Sequence, residues 1–265
     1  QYDGNFFQAY STTPFVVPCG DSIDEEAAKT DGADVAVFVL SRIAGENADR
    51  HDTEGDYFIT KEEKSLLAQI SASYDNVILV INTGGLIDLA FTEEFTNIKS
   101  IVQFMQAGQE GGSAFADIMS GAVNPSGKMT DSWAYTYLDY PNARTFSHKN
   151  GNTDTEKYEE GIFVGYRYFD TFDVPVRYGF GFGLSYTEFS VVGTGVSASG
   201  LGTDQPKISV TASVKNTGNL RFLSAERHAK RVPPSGRLRK DQAFVSGRKS
   251  GFDDYVPVIP AGFLS

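Results

Sequence analysis

Asp34-Val35-Ala36-Val37-Phe38-Val39-Leu40 (residues 34–40) is apolar without a break after its first residue and rich in β-branched side chains. Such a run predicts a central parallel strand covered on both faces, where no alternation with polar residues is needed. Downstream, Thr60-Lys61-Glu62-Glu63 has the spacing of a capping box, and Leu66, Leu67 and Ile70 follow at helical intervals, predicting a helix that ends near Ser73. Asn76-Val77-Ile78-Leu79-Val80-Ile81 reads as a second buried strand and Ser100-Ile101-Val102-Gln103-Phe104-Met105 as a third, with a short helix from Thr92 to Phe95 between them. Gly111 to Ser120 carries Phe115, Ile118 and Met119 on one face and stops at Gly121, the signature of a helix with a glycine terminator. The order β-α-β-α-β-α predicts an α/β fold, a mostly parallel sheet sandwiched by helices with right-handed crossovers. Ligand sites in such sheets lie at the carboxyl ends of the strands.

From Pro125 to Phe189 the chain becomes rich in Tyr, Phe and Gly, and Tyr158–Phe172 and Tyr178–Tyr186 read as aromatic loops and short strands packed around the sheet. A second unit is expected from residue 190. There Ile208, Val210, Ala212 and Val214 alternate with polar residues, a half-buried antiparallel strand, and Asn216-Thr217-Gly218-Asn219 reads as a hairpin turn. An incomplete β-sandwich therefore follows the α/β unit. After the turn the alternation stops, and residues 220–265 hold 9 basic against 4 acidic side chains in a chain whose overall balance is 23 to 34.

The composition excludes several function classes. With 265 residues, 40% hydrophobic and 13% aromatic, the chain can bury a sizeable core. A net charge of -11 argues against nucleic acid as a partner. The longest apolar runs fall far short of the roughly 20 residues that span a bilayer, so no membrane partner is expected. A single cysteine, Cys19, rules out an internal disulfide and a site of several thiolates. No spaced His or Cys pair supports zinc, so neither metal nor cofactor is expected. The sequence starts at Gln1 with no basic-then-apolar leader and reads as a piece of something longer.

Chemistry concentrates after the first strand. Ser41-Arg42-Ile43-Ala44-Gly45-Glu46-Asn47-Ala48-Asp49-Arg50-His51 puts two carboxylates, two guanidinium groups and a histidine at a strand's carboxyl end. Glu46, on a Gly-preceded loop, can swing over a ligand as a proton donor, and the arginines can hold a carboxylate or a sugar hydroxyl. The bland alternative is a solvated loop held by Arg–Asp pairs. Gly84-Gly85 and Gly108 to Gly112 match no nucleotide fingerprint and read as tight turns, which disfavours nucleotide or flavin binding. Gly179 to Gly183 reads as a packed loop, Trp133 as core rather than a sugar platform, and no G-x-S-x-G supports a serine hydrolase.

Six stretches in order resemble the α/β-sandwich domain of glycoside hydrolase family 3, the β-glucosidase and β-xylosidase family: SRIAGENADR (41–50), NTGGLIDL (82–89), QAGQEGG (106–112), NPSGKMTDSW (124–133), YEEGIFVGYRYFDTF (158–172) and RYGFGFGLSYTEF (177–189). KISVTASVKNTGN (207–219) resembles the start of the family's fibronectin-type-III-like domain. The resemblance implies three parts: residues 1–189 as the α/β-sandwich domain, 190–219 as the start of the fibronectin-type-III-like domain, and 220–265 as an aberrant basic tail. It also implies a retaining exo-acting β-glycosidase in which Glu46 matches the acid/base glutamate. Arg42, Asp49 and Arg50 become supports of the loop or contacts to the sugar, Asp131 becomes structural, and His51 stays unassigned. The ligand implied is a β-linked oligosaccharide or glycoside. The nucleophilic aspartate belongs to a (β/α)8 barrel, which takes about 250 residues. This chain has no room for it, so the barrel is expected elsewhere in a parent protein and the fragment alone is expected to be inactive. The alternative is a non-catalytic carbohydrate-binding or interaction module. Because the family's strand pattern breaks off at Asn219, residues 220–265 read as out of frame, artificially joined or disordered. An out-of-frame origin predicts that one of the other two frames of the encoding DNA continues with an alternating apolar strand after Asn219; its absence from both rejects that origin.

Overall fold

A computed structural model describes residues 22–24, 26, 32–43, 49–204 and 206–218, together with the backbone of 258–260. The chain divides into two compact units, one of residues 1–115, 125–184 and 254–265 and the other of residues 116–124 and 185–253.

The first unit is built on strands β1 (Val35–Ser41), β2 (Asn76–Asn82) and β3 (Ile98–Gln103), paired in parallel in the order β1-β2-β3. The register runs from Val35 opposite Asn76 to Ser41 opposite Asn82. These strands carry the predicted parallel sheet, and helix α1 (Lys61–Ser73) falls on the predicted residues. Both halves of its capping box form: the Glu63 amide donates to Thr60 Oγ1 (3.1 Å) and the Thr60 amide to Glu63 Oε2 (2.8 Å). Leu67 and Ile70 turn to the core, joining Leu40, Val77, Leu79, Ile81, Ile101 and Trp133. A short 3-10 helix, Ala90–Glu94, stands where the sequence predicts a brief helix. Helix α2 (Gly111–Met119) follows β3, and Gly121, at φ +75°, terminates it as expected.

Two expectations need correction. Among the described residues β1 is an edge strand, and β2 is the one flanked by parallel strands on both sides. Only Phe38 and Leu40 of β1 are buried, while Val35, Val37 and Val39 are about half exposed, so the described residues cover one face and not two. A continuous apolar run fits either arrangement, because in a strand every second side chain leaves by the opposite face.

The aromatic region holds short strands, as expected, and a short helix besides. Strand β4 (Trp133–Ala134) pairs antiparallel with β5 (Val176–Tyr178), and Tyr166–Thr171 forms a short helix, α3. Trp133 is fully buried and donates to the Ile87 carbonyl (2.7 Å), with Tyr178 edge-on at 6.2 Å and stacked in turn on Phe182. The Met129 amide donates to the Phe182 carbonyl and the Gly181 amide to the Met129 carbonyl, both at 2.7 Å. The GFGFG loop is thereby sewn to the NPSGKM segment.

In the second unit β6 (Phe189–Ser199) and β7 (Lys207–Asn216) form an antiparallel ribbon with an irregularity at Gly193–Gly195. The Asn124 side chain secures its entry by accepting from the Ser185 hydroxyl and the Tyr186 amide. The half-buried strand expected at Ile208–Val214 is corrected: all ten residues of β7 are exposed, since no second sheet packs on this ribbon among the described residues. Of the turn expected at Asn216–Asn219, the amides of Thr217 and Gly218 donate to the Glu188 carbonyl, and Asn219 lies outside the described residues. Most of the 220–265 tail lies outside them too, but β8 (Val258–Pro260) pairs antiparallel with β3 in the first unit.

A Cβ at Gly183 would stand 2.3 Å from the Gly127 carbonyl oxygen, whereas at Gly112, in α2, it would meet nothing within 4 Å. Gly183→Ala is therefore expected to destabilise the protein by about 1–3 kcal/mol in urea unfolding. Gly112→Ala is expected to be neutral or stabilising by up to about 1 kcal/mol. Equal midpoints for the two variants would contradict the close approach of these loops.

Candidate active site

The parallel ladder carries β1 one residue past its last pair, with the Arg42 amide donating to the Asn82 carbonyl (3.1 Å). There the Arg42 side chain turns inward. Its five N–H groups meet five acceptors: Nη1 and Nη2 bind Glu63 Oε1 and Oε2 at 2.7 and 2.8 Å, and the rest reach the carbonyls of Ser41 (2.8 Å), Asp56 (3.0 Å) and Phe58 (3.2 Å). The two side chains of the pair are 1% and 4% exposed. Of the two roles open to Arg42, its geometry is that of a support of the loop. Glu63 is the residue that sequence reasoning underused, since the capping box marked it as a helix cap but not as a partner for Arg42.

Residues 44–48, and with them Glu46, lie outside the described residues. The chain is described again at Asp49, which is exposed, and Arg50, which is half-buried. Arg50 Nη1 donates to Asp56 Oδ1 (2.6 Å) and to the Asp56 carbonyl (3.2 Å), and its guanidinium lies along Gly85, where a Cβ would meet Nε at 3.7 Å. The His51 amide donates to the other Asp56 carboxylate oxygen (2.6 Å), and the His51 ring stands 3.4 Å from it. Asp56 itself is 6% exposed. It sits in a tight turn closed by amide bonds from Asp56 and Phe58 to the Thr53 carbonyl, with Gly55 at φ +83°. No local sequence pattern singled out Asp56; only the fold returns the turn to the strand end.

The outer side of this turn is tied by Asp52, which accepts from Lys149 Nζ (2.6 Å). That bond holds the Asp52 carboxyl below its ordinary range. Burial pulls the Lys149 ammonium down, but the bonds to Asp52 and to the Tyr137 hydroxyl outweigh it and leave Lys149 above its ordinary value. Beneath, burial pushes the Tyr57 hydroxyl up and that of Tyr140 up to about 12, so neither acts as a base near neutral pH.

An open cleft of about 150 Å³ lies at the carboxyl ends of β2 and β3, lined by Gly85, Leu86, Gln103, Met105, Lys128 and Asp131 among others. Gly85 is thus shared between the cleft and Arg50. Asp131 accepts from Thr130 Oγ1 (3.1 Å), and Lys128 donates to the Gly183 carbonyl. Among the described residues no cluster of three His, Cys, Asp or Glu side chains is placed to hold a metal ion.

Comparison with known proteins extends this geometry. The family described as Glycosyl hydrolase family 3 C-terminal domain matches residues 7–166. The chain belongs to glycosyl hydrolase family 3. A β-glucosidase of Ruminococcus albus is 38% identical over 204 residues, which are 77% of this chain and 20% of that protein. An exo-α-(1→6)-L-arabinopyranosidase of Bifidobacterium longum is 34% identical over 207 residues, covering 77% of this chain and 26% of that protein. Among solved family 3 structures, a β-glucosidase from Paenibacillus barengoltzii aligns with a TM-score of 0.67 and 36% identity, over 74% of this chain and 21% of its own. β-Glucosidase 3B from Thermotoga neapolitana, solved in complex with glucose, aligns at 0.65 and 32% identity, over 80% and 30%. The chain therefore spans between a fifth and under a third of the length of these family 3 relatives, which are glycoside hydrolases of more than one sugar specificity.

Proposed function

We propose that this chain supplies the acid/base half of a retaining, exo-acting β-glycosidase of the β-glucosidase type, acting on the O-glycosidic bonds of β-linked oligosaccharides or glycosides. Glu46 first protonates the departing glycosidic oxygen and then, as carboxylate, activates the water that releases the sugar. The nucleophile is an aspartate on a (β/α)8 barrel elsewhere in the parent polypeptide. Retention requires the two carboxyl groups about 5–5.5 Å apart across the glycosidic bond, so neither part works alone. The 265-residue chain by itself is expected to show no measurable turnover.

The observation that carries the proposal is the closed base of the Glu46 loop. In a chain of this family, the loop leaves the carboxyl end of β1, where α/β sheets present their ligands, and both of its ends are fastened at Asp56. Asp49, exposed beside the loop, is available to a sugar hydroxyl, and Arg50 reaches the same edge while anchoring the exit. Arg42 serves the sugar only indirectly, through the loop it holds. The ribbon of β6 and β7 is assigned as the opening of a fibronectin-type-III-like domain.

The test joins this chain to the rest of its polypeptide and assays aryl β-glycosides with poor and with activated leaving groups. Glu46→Gln is expected to lower the rate about 10²–10⁴-fold for poor leaving groups and far less for activated ones, because protonation matters little when the aglycone departs unaided. An equal effect on both substrates would reject Glu46 as acid/base, and robust hydrolysis by the isolated chain would reject the shared site.

A further inference from the structure

We infer that the cleft at the carboxyl ends of β2 and β3 is a binding site for one neutral polyhydroxylated ring, a single monosaccharide unit, with the buried carboxamide of Gln103 as its polar floor. The inference concerns described residues alone and does not need Glu46, so it stands or falls apart from the acid/base assignment.

The carboxamide is the observation that carries it. Gln103 closes β3 opposite Ile81 of β2, and it is 2% exposed. Its Nε2 donates to Met105 Sδ (3.0 Å), and a thioether is a weak acceptor. Its Oε1 is enclosed and accepts no hydrogen bond among the described residues. An unsatisfied buried acceptor carries its full desolvation penalty, so the fold holds this amide at a cost. Met105 stands at φ +59°, a left-handed conformation that residues other than glycine seldom adopt. Strain of this kind collects at ligand sites. The methionine side chain is unbranched and flexible, and Met105 is 37% exposed, so a ligand can push its sulfur aside.

The walls of the cleft select the class of ligand. Leu86, Met105 and Met129 are apolar, while Lys128 and Asp131 carry opposite charges that cancel. The Lys128 ammonium is tied to the Gly183 carbonyl, and the Asp131 carboxylate accepts from Thr130 Oγ1 (3.1 Å). The Arg50 guanidinium, which lies along Gly85, is already paired with Asp56. Among the described residues, then, neither an anion nor a cation meets an unopposed counter-charge here. A purely apolar ligand would leave the Gln103 amide unserved. A hydroxyl is both donor and acceptor. One hydroxyl that displaces the Met105 sulfur accepts from Nε2, its neighbour on the ring donates to Oε1, and the C–H face of the ring lies against Leu86 and Met129. The volume of about 150 Å³ sets the size, since a cavity of about that volume holds benzene, a six-membered ring. One pyranose ring fits with its outer hydroxyls towards the open side, and a disaccharide does not.

The test uses the 265-residue chain with its three methionines labelled with carbon-13 at the methyl groups. Met105 and Met129 line the cleft, and Met119, at the end of α2, does not. Glucose is expected to move the Met105 methyl signal saturably, with a Kd on the order of millimolar for so small a contact. The Met129 signal is expected to move less and the Met119 signal not at all. Gln103→Leu keeps the bulk and removes the amide. It is expected to weaken glucose binding at least about 10-fold and yet leave the urea midpoint unchanged or higher, because the orphaned acceptor goes with it. A glutamine that served the fold alone would show the opposite pair of changes. Asp131→Ala, on the exposed rim, is expected to weaken binding several-fold and stands in if Gln103→Leu does not fold. Dioxane, a six-membered ring without hydroxyls, and acetate, an anion, are expected to cause no saturable shift. Absence of a saturable Met105 shift with glucose would overturn the inference. So would an equal shift in Gln103→Leu, or one that dioxane or acetate reproduces. None of these results touches the acid/base assignment, which Glu46→Gln decides in the joined polypeptide.

Discussion

The buried ion pair between Arg42 and Glu63 is the constraint around which the first unit is organised. It joins the last residues of β1 to the first turn of α1 through a fork of two bonds, in a place where either charge alone would be strongly unfavourable. Glu63 serves three partners at once: the Arg42 guanidinium, the Thr60 amide through its side chain, and the Thr60 hydroxyl through its own amide. The remaining Arg42 donors collect the carbonyls of Ser41, Asp56 and Phe58, which draws the 53–58 turn under the strand end. Removing either partner of such a pair costs far more than the pair adds in net stability, because the other charge is left buried and unpaired. Here the arrangement held by the pair is the ground from which a loop of the expected catalytic type departs.

From that ground outward, the local chemistry changes from apolar core to polar frame over a few residues. Leu40 is buried, Arg42 is buried but ionic, Arg50 is half-buried, and Asp49 is exposed. Such a gradient suits a residue that must cross to a partner surface, because the frame is rigid while the presented edge stays wet. The relatives carry this region as a minor share of much longer chains, and their names span β-glucosidase and arabinopyranosidase. On the proposed function, a frame that carries a proton donor is compatible with several sugars, and specificity is expected to reside where the sugar ring is held.

Much of the first unit is legible in the sequence because its signals are local. The capping box fixed α1, β-branched runs marked β1 and β2, and Gly121 marked the end of α2. The third strand begins at Ile98, two residues before the predicted start, since Lys99 interrupts the apolar pattern there. The short helix at Tyr166–Thr171 escaped notice because fewer than two turns of aromatic residues carry no clear periodicity. The edge position of β1 and the exposure of β7 could not be read either, since a side-chain pattern reports what a strand could bury and not what is present to cover it. In the site, the charged loop stood out at once by composition. Its two anchors did not, because Asp56 and Glu63 lie 14 and 21 residues from Arg42 and meet it only through the fold.

A double-mutant cycle on Arg42→Met and Glu63→Met, followed by urea unfolding, measures the central interaction most directly. Each single variant leaves an uncompensated buried charge and is expected to cost about 3–5 kcal/mol. The double variant is expected to cost clearly less than the two together, with a coupling of at least about 2 kcal/mol. Additive losses below about 1 kcal/mol each would mean that β1 and α1 are held together without this pair, and that the loop's frame must be sought elsewhere.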